Sequence, residues 1–77
     1  MPKNKLTDAE LQQLENSYTY HPPKDDQPQR YVEIRDKAKE LATTFMECAP
    51  HSRERSIGLT LLEQAVTMVN KAIACNE

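Results

Sequence analysis

The chain has 77 residues and a formal net charge of −2. Its length limits it to one small domain, in which a hydrophobic core alone is barely sufficient for a stable fold. It shows no secretory signal and no cysteine framework, so we expect Cys48 and Cys75 to be free thiols in a reducing compartment. It also has no apolar run long enough to cross a bilayer, so we expect no association with a membrane. The acidic balance argues against a protein built for the backbone of duplex DNA.

The first predicted helix begins at about Asp8 and ends at about Asn16. Thr7 can accept a hydrogen bond from the amide of Glu10, whose carboxylate can reach back to the amide of Thr7. A helix this short is marginal by itself, so we expect it to dock on another part of the molecule.

A proline-stiffened segment follows, with the sequence SYTYHPPKDD at residues 17–26. Two adjacent prolines forbid a helix and hold the preceding residue extended. Such a backbone can hold an aromatic side chain in a fixed place at small entropic cost. Tyr18 and Tyr20 therefore have two interpretations: hydrophobic plugs at the end of a helical bundle, or stacking platforms for a ligand. His21 is interpreted as a solvated loop histidine.

The second predicted helix starts after Asp26, its expected N-terminal cap, and runs to about Cys48, with Pro28 in the first turn. Its apolar stripe has spacings of three and four residues and consists of Tyr31, Ile34, Ala38, Leu41 and Phe45. Arg35 falls at the margin of this stripe, where a long side chain can lie over the helix seam and present its head group.

The third predicted helix spans residues 52–74 with Ser52 as its cap, and the short connection makes it the antiparallel neighbour of the second helix. Its apolar residues cover about 200° of the circumference, whereas a helix on one core needs little more than about 100°. One stripe is Leu59, Leu62, Val66, Val69 and Ile73, and the other is Ile57, Leu61, Ala65, Met68 and Ala72. We therefore interpret it as an oligomerisation helix.

Three residues near the start of this helix need a separate explanation. Arg53 and Arg55 lie in the first turn, where the helix dipole disfavours cations. They indicate either an anionic partner or a carboxylate across an interface. Gly58, the only glycine, lies inside the helix at a cost of about 1 kcal/mol relative to alanine. It indicates close approach of another helix or access for a ligand.

The residues offer binding chemistry and little catalytic chemistry. No paired nucleophile and histidine, metal-ligating cluster or glycine-rich phosphate loop can be placed, so we expect no enzyme, no metal and no cofactor. An aromatic side chain for base stacking, arginines for phosphate and a self-associating helix favour a small anionic or aromatic ligand at a subunit interface.

Two segments carry a family resemblance, YHPPKDDQPQRYVEIRDKAKELA and PHSRERSIGLTLLEQAVTMVNKAIACNE. They resemble the bacteriophage helical-hairpin proteins that sequester cyclic nucleotide messengers, the anti-CBASS and anti-Thoeris sponges. The resemblance covers roughly residues 18–77 and implies an all-α fold. It implies an antiparallel helical hairpin, which we place at residues 18–77, and assembly as a homohexamer. We expect residues 1–17 to form a separate N-terminal segment with a short extra helix.

The resemblance also implies a function and its residues. The protein would hold cyclic dinucleotides, and cyclic trinucleotides in a second pocket, without cleaving them, in the cytoplasm of the infected bacterial host. In the family a tyrosine before the long helix stacks on a base, and a basic residue 15 positions later contacts the ligand. Tyr20 and Arg35 have this spacing, with arginine where other members carry lysine. Lys71 and Lys37 correspond to the trinucleotide pocket, where the family has arginine and threonine.

The same residues are compatible with one other function and disfavour a second. A helical oligomer with a free apolar stripe can act as an interaction adaptor that docks on a helix of another protein. Helix-turn-helix binding of DNA is disfavoured, because the polar helix faces carry both signs of charge.

Overall fold

A computed structural model describes residues 4–77, which form three α-helices and contain no strand. Helix α1 spans Asp8–Tyr18, α2 spans Gln27–Cys48 and α3 spans Arg53–Asn76. α2 and α3 pack on each other as a hairpin, and α1 touches the C-terminal end of α3. The all-helical prediction is confirmed for these residues.

The start of α1 is fixed by the predicted capping box. The amide of Glu10 donates to Thr7 Oγ1 (3.1 Å), and the amide of Thr7 donates to Glu10 Oε1 (2.9 Å). Hydrogen bonds from the backbone and then the side chain of Thr7 lower the pKa of Glu10, because they stabilise its charged form. The helix runs past its predicted end as far as Tyr18, because the amide of Thr19 still donates to the carbonyl of Glu15 (3.0 Å).

The turn before α2 differs from the predicted one. Asp26 occupies the N-cap position as predicted, but its side chain makes no capping hydrogen bond and instead pairs with Arg30 one turn later (3.2 Å). The turn is closed by Gln27. Its backbone amide donates to the carbonyl of Lys24 (2.9 Å), and its side-chain Oε1 accepts from the backbone amide of Lys24 (3.2 Å). Asp25 has a φ of 53°, a left-handed conformation that aspartate adopts more readily than most residues.

Caps on both sides shape the connection between α2 and α3. Ser52 caps α3 as predicted, its Oγ accepting from the amide of Arg55 (3.2 Å). The guanidinium of Arg55 reaches back to the carbonyls of Met46 (3.2 Å) and Ala49 (3.0 Å). These carbonyls end α2, where the helix dipole favours a cation. Arg55 therefore has partners inside the chain, and neither the anionic partner nor the carboxylate that we predicted is needed to explain it.

The hairpin covers one apolar stripe of α3 and leaves the other exposed. Four members of the first stripe are half-buried, namely Leu59, Leu62, Val66 and Ile73, and the first three face the groove between α2 and α3. The fifth member, Val69, is 48% exposed. The second stripe is exposed along its whole length and consists of Ile57, Leu61, Ala65, Met68 and Ala72. Leu61 and Met68 keep 57% and 63% of their surface in solvent. Among residues 4–77 no hydrophobic side chain is fully buried.

The single chain is flat and open. A folded monomer of 8.8 kDa has an accessible surface of about 4,800 Å², whereas this chain has 6697 Å². Its radius of gyration is 17.4 Å, against about 11.5 Å for a compact domain of this length. Its smallest dimension is 13 Å, little more than the thickness of one helix. The chain is therefore one layer of helices, whereas stable domains have two or more.

Cys48 and Cys75 are free thiols, as predicted. A Cβ added at Gly58 would meet no atom within 4 Å, so the close helix approach that we predicted does not occur inside the chain. In the part of the chain that the structure describes, no helix has the length and hydropathy needed to span a membrane.

Candidate functional site

Tyr20 lies on the loop between α1 and α2 with its ring in solvent. The side chain is 78% exposed, and Tyr18, the last residue of α1, is 84% exposed. Neither ring closes the end of a helical bundle in a single chain, so the interpretation as hydrophobic plugs is not supported. An aromatic ring of this exposure contributes little to folding and is available for contact with a ligand or another chain.

Hydrogen bonds hold the backbone on both sides of Tyr20. On the N-terminal side, Thr19 donates from its amide to the carbonyl of Glu15 (3.0 Å) and from its hydroxyl to the Glu15 carboxylate (3.2 Å). On the C-terminal side, His21 Nε2 lies 2.8 Å from the carbonyl of Asn16. A carbonyl only accepts, so Nε2 carries the proton. His21 is half-buried, and the prediction that it is merely solvated is wrong.

Arg35 lines an open groove of about 610 Å³ between α2 and α3. The aliphatic part of the lining consists of Ala38, Ala42, Met46, Leu59, Leu62 and Val66. Arg35 and Lys39 provide cations on the α2 side, and Glu63 provides a carboxylate on the α3 side. Arg35 is exposed and borders this aliphatic lining, and that its head group contacts a ligand there stays a prediction.

Tyr20 is not among the residues that line the Arg35 groove. In a single chain the two predicted site residues therefore do not form one groove. The loop presents a ring for stacking, and the hairpin presents a guanidinium above an apolar surface.

Lys71 lies in grooves between α1 and the C-terminal half of α3. One groove, of about 360 Å³, is also lined by Gln13, Asn16, Ser17, Met68, Ala72, Cys75 and Asn76. A second, of about 440 Å³, combines Lys71 with Leu6, Glu10, Gln13, Leu14, Ser17 and Tyr18. Lys37 is exposed on α2 and lines neither of these grooves. The closeness of α1 to Lys71 was not predicted.

An ionic cluster that sequence reasoning missed joins the start of α2 to the end of α3. The guanidinium of Arg30 donates to both carboxylate oxygens of Glu77, with Nη1 2.7 Å from Oε2. Gln27, the one buried residue among those described, donates from Nε2 to Glu77 Oε1 (3.3 Å). Hydrogen bonds from Arg30, then Gln27, lower the pKa of Glu77 to about 2. No local pattern indicates these contacts, because Arg30 and Glu77 lie 47 positions apart.

The described residues provide groups for binding rather than a cluster for metal chemistry. Within residues 4–77 no three histidine, cysteine, aspartate or glutamate side chains are grouped to hold a metal ion. The exposed ring of Tyr20 can stack on a planar group, and the fork-shaped guanidinium of Arg35 can donate two hydrogen bonds to a phosphate.

Comparison with known protein families identifies a relationship. A family model described as the Acb2/Tad1 hairpin domain matches residues 10–74, which takes in most of α1, all of α2 and nearly all of α3. No curated protein and no solved structure matches the chain significantly.

Proposed function

This chain belongs to the Acb2/Tad1 hairpin-domain family, the phage family of cyclic-nucleotide sponges that its sequence resembles, and from that premise we propose which ligands it binds and with which residues. It binds cyclic dinucleotides and holds them without cleaving them, so that an antiphage defence effector of the CBASS type is deprived of its activator. It acts in the cytoplasm of the infected bacterial host. The proposed binding domain is residues 18–77, preceded by an N-terminal segment at residues 1–17 whose last eight residues fall within the matched region.

The observation that carries the proposal is the exposed ring of Tyr20 on a loop held from both sides. Stacking a base on an aromatic side chain is worth about 1–3 kcal/mol. The gain is largest when the ring is already fixed, because ordering a free loop would consume part of the binding free energy. Pro22 and Pro23, together with the hydrogen bonds of Thr19 and His21, restrict the loop before any ligand arrives.

Arg35 supplies the second contact, to the phosphates of the ligand. Its guanidinium can bind a phosphate through two parallel hydrogen bonds. The aliphatic lining of its groove excludes water on one side, which strengthens a charged hydrogen bond. The carboxylate of Glu63 on the opposite side of the groove repels anions placed deep in it, so the ligand binds near the Arg35 edge.

Assembly brings these two contacts together. The surface of one chain exceeds that of a compact monomer by about 1,900 Å², and a standard interface covers about 800 Å² on each partner. The excess is enough for each subunit to contact two neighbours, which supports a closed oligomer larger than a dimer. We propose a homohexamer, in which Tyr20 of one copy meets Arg35 of another, and in which rotational symmetry matches that of a cyclic ligand.

A second pocket is proposed for cyclic trinucleotides, with Lys71 and Lys37 as its basic residues. Both side chains are exposed in a single chain, where a neighbouring subunit can complete the site. A lysine binds phosphate as a point charge and gives up the two-pronged contact of arginine. This pocket therefore binds its ligand less tightly than a pocket with arginine at the position of Lys71.

The sponge activity can be tested by recovery of the ligand. The full chain is incubated with a cyclic dinucleotide or a cyclic trinucleotide, freed of unbound ligand and heated, and the released material is analysed by mass spectrometry. We expect the intact cyclic nucleotide in stoichiometric amount. A linear product would identify a phosphodiesterase, and no released nucleotide would exclude binding of that ligand.

The exposed second stripe of α3 favours one other function, an oligomeric adaptor for a helix of another protein. The stripe offers side chains such as Leu61 and Met68, which keep more than half of their surface in solvent. An adaptor would bind none of the cyclic nucleotides, and its sedimentation would change when the partner is added.

A further inference from the structure

The attachment of α1 to the remainder of the molecule explains what this short helix does. We propose that α1 is a strut that positions the ring of Tyr20, with Asn16 and His21 as the two positioning residues. The inference rests on the proposed function in taking Tyr20 as the stacking residue.

The first link of the strut joins α1 to α3. Asn16 Nδ2 donates to the carbonyl of Cys75 (3.0 Å), and Cys75 Sγ donates to the carbonyl of Asn16 (3.7 Å). Carbonyl groups in the last turn of a helix have no partner within that helix. Cys75 lies in the last turn of α3 and Asn16 in the last turn of α1, so each residue supplies a donor to the carbonyl that the other leaves open.

The second link joins the loop to α1. His21 Nε2 donates to the same carbonyl of Asn16, at 2.8 Å. A carbonyl oxygen has two lone pairs, and here the Cys75 thiol and the His21 imidazole use both. A single backbone group at the end of α1 thus connects the loop and α3.

Tyr20 lies between two anchored neighbours as a result. Thr19 is held to Glu15 through its amide and its hydroxyl, and His21 is held to Asn16. Both anchors belong to the last turn of α1, which is itself fixed to α3. The backbone of Tyr20 is therefore placed relative to the hairpin while its ring stays in solvent, as preorganised stacking requires.

The exposure of α1 indicates that this helix positions the Tyr20 loop and does not contribute to a hydrophobic core. None of its residues is buried, and its two interior leucines, Leu11 and Leu14, keep 48% and 45% of their surface exposed. A helix that buries so little adds little hydrophobic stabilisation to the single chain. Its defined contacts with the loop and α3 are polar and concentrated in its last turn.

The test compares variants of the full chain by calorimetry with a cyclic dinucleotide. Asn16→Ala and His21→Ala should each weaken binding about fivefold to tenfold, the loss expected for one hydrogen bond. His21→Gln should stay within about twofold of the parent, because its side-chain amide can donate to the same carbonyl. Gln12→Ala, an exposed change on the same helix, is the matched control and should leave the affinity unchanged.

Two features separate positioning from a general structural defect. Alanine has a higher helix propensity than asparagine, so Asn16→Ala does not weaken α1 itself, and sedimentation of every variant should match the parent. Backbone ¹⁵N relaxation then reports on the loop without ligand. The order parameter of the Tyr20 amide should fall from about 0.85 to below about 0.6 in Asn16→Ala and His21→Ala.

The outcomes keep this inference apart from the proposed function. If the Tyr20 amide stays rigid in both variants, α1 is not the strut, whatever binds to Tyr20. Loss of order with unchanged affinity would also overturn the positioning role. If the parent binds no cyclic dinucleotide but both variants lose order at Tyr20, the proposed function fails and the strut remains as the element that fixes this loop.

Discussion

At the scale of single residues, Tyr20 and Tyr18 form a natural comparison. Both are exposed tyrosines two positions apart, one on the held loop and one at the end of α1. We expect Tyr20→Ala to weaken cyclic dinucleotide binding by about 5-fold to 150-fold, because base stacking is worth about 1–3 kcal/mol. Tyr18→Ala should change it less than about twofold. Calorimetry at equal protein concentration checks both, and unchanged affinity of the Tyr20 variant would remove that residue from the site.

Glu77 carries a prediction about acid stability. Its pKa is lowered from 4.5 to about 2, mainly by the hydrogen bonds from Arg30. A carboxylate with a lowered pKa stabilises the fold above its unfolded pKa, and this contribution is lost as the pH falls toward the folded value. The parent should therefore lose folding stability as the pH falls from 4.5 to about 2. The Glu77→Gln variant should lose less folding stability over the same pH range.

Thermal unfolding followed at several pH values measures this difference. Glu33→Gln is the matched control, since Glu33 is exposed and forms no ion pair with any residue from 4 to 77. Some acid sensitivity should remain in Glu77→Gln, because the capping box also lowers the pKa of Glu10. Equal acid profiles for the parent and the Glu77 variant would mean that the cluster with Arg30 does not contribute to folding stability in solution.

At the scale of elements, the connection between α2 and α3 depends on Arg55. Its guanidinium binds two carbonyls at the end of α2; hydrogen bonds to a charged group contribute about 1.5–3 kcal/mol. Removing a cation from the first turn of α3 also relieves an unfavourable interaction with the helix dipole, which stabilises the fold by about 0.3–1 kcal/mol. Arg55→Ala should therefore lower the free energy of unfolding by about 1–2 kcal/mol, measured by chemical denaturation at fixed protein concentration.

Arg53 supplies the control for this prediction. It also lies in the first turn of α3, but its side chain is exposed and makes no hydrogen bond or ion pair with any of residues 4–77. Arg53→Ala should be neutral or slightly stabilising, since only the unfavourable dipole term is removed. Equal destabilisation by both variants would indicate that charge, and not the cap, holds the connection together.

The elements themselves follow from local patterns, which is why they could be predicted. The capping box of Thr7 and the cap of Ser52 lie within three residues of their partners, and the periodicity of α2 and α3 marks their faces. The contacts of Asn16 with Cys75 and of Arg30 with Glu77 join residues 59 and 47 positions apart. Such contacts depend on how the helices are arranged in space, and the position of α1 beside Lys71 could not be predicted for the same reason.

The candidate site was predictable only in its parts. The proline pair indicated that Tyr20 stands on a stiff loop, and the stripe margin indicated that Arg35 reaches over an apolar seam. The role of His21 was missed, because its partner is a backbone carbonyl that any residue could supply. The residues that complete a pocket around Tyr20 and Arg35 belong, on our proposal, to another copy of the chain.

At the scale of the whole molecule, the breadth of the apolar surface of α3 is the central feature. The hairpin covers its first stripe in part and leaves Ile57, Leu61 and Met68 in solvent. With a thickness of 13 Å, a single chain has no second layer to cover them. Burying apolar surface is worth about 25 cal/mol per Å², so association of several copies is the direct way to stabilise this fold.

Sedimentation equilibrium of the full chain at micromolar concentration tests that claim most directly. We predict a closed assembly of six copies of the 8.8-kDa chain, about 53 kDa in total, with the helical circular dichroism of a folded protein. A stable 8.8-kDa monomer with the same helical content would contradict the account, because the proposed pockets would then lack the walls that neighbouring copies provide.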